Sequence, residues 1–228
     1  MNGDPSKSEG LRRYAVFVTA TAAAIVMLWL GMDYLGQRLR PPALPIALKG
    51  GTLLPQPKPL RPFQLTDQDG KPFTLDRLRG HWTFFVIGYT SCPDICPTLL
   101  ATFQALDRLI TPAGAKPAAD FLFVSVDPER DSPAQLAKYV HYFNPRFLGA
   151  TGTDDALRAL TGQLGLLYER VGDRKTSLGY LIDHSASILL INPEAGLSAI
   201  FSPPQDPQLI AEDFATIAAR YPSSPHDG

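Results

Sequence analysis

The chain has 228 residues, a net charge of −1 and a mean hydropathy of −0.03. This near-neutral balance, without any Lys/Arg stripe, argues against nucleic acid as a partner, and a hydrophobic share of 45% is ordinary for a globular protein. The thiol inventory is two cysteines, Cys92 and Cys96, and a chain that places all its thiols within one turn uses them together.

Residues 1–13 carry Lys7, Arg12 and Arg13 ahead of an apolar run over residues 14–35 (YAVFVTATAAAIVMLWLGMDYL), broken only by Asp33. A helix of about 20 such residues matches the bilayer core. The preceding cations favour a cytoplasmic N-terminus, although Arg38 and Arg40 behind the run keep the bias modest. The run is long for a signal peptide and no small-residue cleavage site follows it, so a single-pass transmembrane anchor is expected. Residues 36–62 are a Pro-rich stretch, expected to act as a semi-extended linker. One domain is expected over residues 63–221, large enough to bury a full core, followed by a disordered tail at 222–228.

Within that domain, FQLT at 63–66 and PFTL at 72–75 flank the turn DQDG at 67–70 and read as a hairpin. WTFFVIGY at 82–89 and FLFVSV at 121–126 are short, aromatic and β-branched, as central strands are. A helix is expected from Pro97, with apolar residues at Leu99, Leu100, Phe103, Leu106 and Leu109. Ser132, Pro133 and Gln135 form a capping box for a helix running to about residue 143. Thr153 opens another helix that stops near Gly165. Residues 187–191 and 197–201 make a second hairpin, and Asp206-Pro207 caps a last helix. This order implies an α/β layer around a mixed sheet, with the cysteines at the C-terminal end of a central strand, where ligand crevices form. The expected class is a thioredoxin-like fold.

The cysteines occur in GYTSCPDICP at 88–97. Thioredoxin-type dithiols are separated by two residues; here the gap is three, which leaves room for an ion between the sulfurs. The helix start next to them favours thiolate. A structural staple across four residues would gain little. Metal binding and dithiol exchange therefore both remain open. For a third ligand there are four histidines. His81 precedes the cysteine strand, His141 sits among Tyr139, Tyr142 and Phe143, and His226 is in the tail. His184 ends the GYLIDH segment and enters the strand at 187–191, so its loop can reach the cysteine end of the sheet. Two thiolates and one imidazole suit a soft ion of low coordination number, foremost Cu(I), with Cu(II) as the alternative; structural zinc would want a fourth ligand. Asp127 and Asp94 read equally well as turn and cap residues and are not counted as ligands.

The chain resembles the Sco/SenC proteins. The resemblance rests on FQLTDQDG at 63–70, GYTSCPDICPT at 88–98, SVDPERDSP at 125–133 and YLIDHS at 180–185. It implies a membrane-anchored copper chaperone of thioredoxin fold, with Cys92, Cys96 and His184 as copper ligands. The implied partners are subunit II of cytochrome c oxidase, whose Cu-A site would receive the metal, and an upstream copper donor. The implied location is the bacterial inner membrane, with the domain in the periplasm. Ser91 stands where many relatives carry His, and residues 173–179 are only loosely similar. A second function from a different class is a thiol–disulfide reductase that keeps the partner's cysteines reduced, in which Cys92 and Cys96 would form the redox-active disulfide. A peroxidase or copper sensor ranks below both, since no further Cys could act as resolving thiol.

Overall fold

The computed structural model describes residues 18–19, 21–22, 24–32, 48–112, 118–172 and 180–221. The chain divides into two units, Met1–Pro45 and Ile46–Gly228. In the first unit the described residues between 18 and 32 are helical and exposed. Among the described residues, no helix is long and apolar enough to cross a membrane. The ends of the 14–35 run, and the 222–228 tail, lie outside the described residues.

In the second unit, strand β4 (Thr83–Gly88) forms from the aromatic and β-branched run and is buried along its whole length. It pairs in parallel with β5 (Asp120–Ser125), which in turn pairs in parallel with β6 (Leu148–Thr151). On its other side β4 meets β9 (Ile188–Ile191), antiparallel, and β9 forms the expected hairpin with β10 (Gly196–Phe201). The first hairpin is β2 (Gln64–Asp67) with β3 (Pro72–Thr74), joined to the sheet through β6. With β1 (Thr52–Pro59) at one edge, the result is an eight-stranded mixed sheet among the described residues, in the order β1-β10-β9-β4-β5-β6-β2-β3.

Its outermost strand, β1 (Thr52–Pro59), lies inside the stretch read as a linker, and it pairs antiparallel with β10. Part of the 36–62 segment is therefore sheet rather than spacer. Prolines that remove ladder donors are tolerated on an edge strand, and Leu60 just beyond is buried at 7% exposure. Asp213 fastens this entry further by accepting from the backbone N–H groups of Lys49 and Gly50, each at 2.8 Å.

Four helices follow their local signals. Helix α1 (Ile95–Ile110) begins two residues ahead of the expected Pro97. Helix α2 (Pro133–Phe143) is capped by the Ser132 hydroxyl, which accepts from Gln135 N at 3.3 Å. Helix α3 (Asp154–Leu164) is capped by Thr153 and ends on Gly165 at φ 72°, a left-handed position that glycine takes without strain. Helix α4 (Pro207–Ala218) is capped by Asp206. Ring contacts place α1, α2 and α4 on one face of the sheet: Phe103 packs on Phe121, Tyr139 on Phe123, and Phe214 on Phe84. Apart from this sheet, β7 (Tyr168–Val171) and β8 (Leu181–His184) form a two-stranded antiparallel ribbon that the sequence pattern did not announce. The α/β class with a mixed central sheet is as expected, in a thioredoxin-like arrangement.

Candidate metal centre

Strand β4 delivers the chain to Tyr89 and Thr90, and a tight turn (Cys92 N to Tyr89 O, 3.2 Å) leads into α1. Cys96 lies in the first turn of that helix, whose opening N–H groups have no partners in the helix. Asp94 stands at the N-cap position but its side chain caps nothing. The Cys92 sulfur takes over that task and accepts from Cys96 N at 3.4 Å. The thiol that must be reactive is thus held by backbone dipoles at the positive end of a helix.

His184 reaches the same spot from β8. Its Nε2 lies 3.3 Å from Cys96 Sγ, and its Nδ1 lies 3.1 Å from the Ser185 carbonyl. A carbonyl only accepts, so Nδ1 carries a proton, and Nε2 is the ring nitrogen that faces the sulfurs. The ligand atoms of Cys92, Cys96 and His184 all lie within 4.8 Å of one another. Among the described residues this is the one group of three or more His, Cys, Asp or Glu side chains able to hold a metal ion. The three residues named from the sequence are therefore brought together. His81 precedes β4, at the far end of the strand from the cysteines, His141 is exposed on α2, and His226 lies outside the described residues. Asp94 and Asp183 are exposed beside the site.

Both cysteines are free thiols. The Cys92 thiol is held far below the ordinary range, at about 4, chiefly by a hydrogen bond from Cys96 and then by backbone donors, against the opposing cost of burial. Cys96, which is fully buried, is pushed the other way by its hydrogen bond to Cys92 and by desolvation. The pair thus holds one proton, with Cys92 as thiolate and Cys96 as thiol. Cys92 also keeps 9% of its surface exposed where Cys96 keeps none. Alkylation with iodoacetamide is accordingly expected at Cys92 alone, with a rate that stays level down to about pH 5 and falls below it as the thiolate takes up its proton. A rate that instead drops by half near the ordinary thiol value, about pH 8.5, would contradict this assignment.

One glycine and two buried carboxylates support the site from below. A Cβ on Gly88 would meet Cys96 Sγ at 2.5 Å and Phe123 at 2.7 Å, so only glycine leaves space for this sulfur. Asp131, 1% exposed, accepts from Thr90 N (2.8 Å), Thr90 Oγ1 (2.6 Å) and Ser125 Oγ (2.6 Å), which fixes the segment leading to Cys92. Asp127, which the sequence left as a turn residue, is fully buried and paired with Arg130 and Tyr180. The overlooked signal was two carboxylates flanking an arginine directly behind a buried strand, where a solvated turn is the more frequent outcome.

The SCO1/SenC family model matches residues 53–219. An SCO2-like protein of Rickettsia felis is 33% identical over 169 residues, covering 73% of this chain and 80% of that protein. Among solved structures, copper-bound ScoI of Arabidopsis thaliana is similar at TM-score 0.65 and 30% identity, over 71% of this chain and 98% of that one. Copper-bound ScoI of Bradyrhizobium japonicum is similar at TM-score 0.61 and 33% identity, over 68% and 97% of the two chains. The matched span runs from β1 to the last helix and includes both thiols and the imidazole, and on that extent this chain belongs to the SCO1/SenC family.

Proposed function

We propose that this protein is a copper chaperone that carries Cu(I) on Cys92, Cys96 and His184 and passes it to the Cu-A site of cytochrome c oxidase subunit II. The carrying observation is the preformed set of two sulfurs and one imidazole nitrogen within 4.8 Å. Soft sulfur donors in a set of three suit Cu(I) better than zinc, which would seek a fourth ligand. The copper-bound relatives support the same cargo. Release to the acceptor fits a site at the protein surface: Cys92 and His184 keep some exposure while Cys96 forms the floor. The acceptor's own thiolates would displace these ligands one at a time, so copper is never free. The cargo itself would come from an upstream donor. The apolar run at 14–35 and the cations ahead of it support a single-pass anchor in the bacterial inner membrane, with the domain in the periplasm.

The asymmetry of the thiols favours a second activity on the same residues. The Cys92 thiolate would attack one sulfur of a partner disulfide, breaking that bond and forming a mixed disulfide. Cys96 would then lose its proton and attack Cys92 Sγ, releasing the partner as a dithiol and leaving a Cys92–Cys96 disulfide. Such a step would ready a copper acceptor whose cysteines had oxidised.

The deciding experiment titrates the full-length reduced protein with Cu(I) beside a Cys92→Ser/Cys96→Ser variant. One equivalent is expected to bind the native chain tightly and none the variant. Stoichiometric copper on the variant would remove the site.

A further inference from the structure

The ribbon that carries His184 does not explain its own position. Strand β8 has four residues and pairs only with β7, outside the main sheet, and a two-stranded ribbon is marginal by itself. At its far end Ser185 is tied to Leu167, N to O at 2.9 Å, with the Ser185 hydroxyl accepting from Leu167 N at 2.9 Å. At its near end stands Tyr180, and there the loop behind β5 takes hold. Arg130 Nη1 donates to the Tyr180 carbonyl at 3.0 Å, and the Tyr180 hydroxyl donates to Asp127 Oδ1 at 2.5 Å. Arg130 Nε donates to the other Asp127 oxygen, which closes the clasp. The Arg130 guanidinium covers the Tyr180 ring at 3.9 Å and the Tyr89 ring at 5.4 Å. Tyr89 in turn meets the His184 ring edge-on, with centroids 6.1 Å apart.

We propose that Asp127 and Arg130 are positioning residues for His184, which clasp Tyr180 at the base of β8 and back Tyr89 behind the imidazole, so setting the nitrogen against the sulfurs. The inference rests on the copper-binding reading for its consequence, though not for its geometry. Asp131, next in sequence, anchors the thiol arm through Thr90. One loop thereby sets both arms of the site and the gap between them. A fully buried carboxylate needs compensation, and here the compensating groups are those that lead to the histidine.

The test uses full-length Asp127→Asn, Arg130→Met and Arg130→Lys variants, each with His184 present and with His184→Ala. Two quantities are read: the nuclear Overhauser effect between the Tyr89 and His184 rings in the metal-free protein, and Cu(I) affinity by competition with a chromophoric chelator. The ring-to-ring effect is expected to weaken, and affinity to fall about 10–100-fold, as for other partners of metal ligands. That loss should vanish when His184 is already absent. Lysine should fail to restore the native values, because an ammonium cannot bond Asp127 and the Tyr180 carbonyl with one rigid fork. Tyr180→Phe, which keeps the ring and loses one hydrogen bond, gives an intermediate effect should the harsher variants fail to fold. An undiminished ring-to-ring effect, or an affinity loss of equal size without His184, overturns the proposal. If the native chain itself binds no Cu(I), the copper reading falls and the ring-to-ring effect alone decides the positioning role.

Discussion

Replacing His184 with alanine is expected to lower Cu(I) affinity by at least about 100-fold, on the order of 2.8 kcal/mol, while the fold stays intact. His184 is part-buried at the rim and its ring makes few contacts: the Cys96 sulfur, the Ser185 carbonyl and the edge of Tyr89. Little packing is lost with the ring, so the deficit reads out ligation rather than unfolding. The same substitution separates the two activities. Thiolate attack needs Cys92, whose acidity comes first from Cys96 and only last from His184. Disulfide reduction by the alanine variant should therefore persist at a rate close to native. Chelator competition and a fluorogenic disulfide substrate, run on one preparation, check both halves. Copper affinity unchanged by the substitution would reduce His184 to a bystander.

Gly88→Ala is expected to damage both activities at once. The added methyl would stand 2.5 Å from Cys96 Sγ and 2.7 Å from a Phe123 ring carbon, and neither neighbour has freedom to retreat. Cys96 is held by the first turn of α1, and Phe123 is packed against Tyr139 on α2. Overpacking of this kind costs about 1–3 kcal/mol, which lowers the melting temperature by about 2–4 °C for each kcal/mol in a domain of this size. The sulfur must also shift, and with it the shared proton and the ligand geometry. Calorimetry together with Cu(I) titration measures the two consequences. A variant that melts like the native protein and binds copper equally would mean that the β4–α1 junction yields more than its packing suggests.

Local signals in the sequence sufficed where a few adjacent residues determine the outcome. Ser132, Thr153 and Asp206 each cap the helix they open, and the runs at 82–89 and 121–126 became β4 and β5. The cysteine pair was legible for the same reason, since four residues and a helix start define it. Strand β1 was not, because its prolines read as spacer composition and only its pairing with β10 makes it a strand. Strands β6, β7 and β8 have four residues each and lack both the Asp-Gly turn that marks β2 and β3 and the continuous apolar run that marks β9. The identity of the third ligand could be proposed from His184 and its neighbours, but not its 3.3 Å approach to Cys96. Asp127 was visible only as an ambiguous turn residue, and the roles of Arg130 and Asp131 were not visible at all, because buried and solvated turns share a composition. What distinguishes them are distant partners: Tyr180 for Asp127 and Arg130, and Thr90 for Asp131.

The prolines of β1 have a consequence for crowded molecules. Pro55, Pro57 and Pro59 are spaced by two along an outermost strand. A proline has no backbone N–H, so three of this edge strand's possible ladder donors are missing. An edge so short of donors pairs poorly with a neighbouring strand. Copies gathered at high local density would slide past one another along this rim instead of fusing into a continuous sheet. The thiols open elsewhere, beyond the C-terminal end of β4, three strands in from this edge.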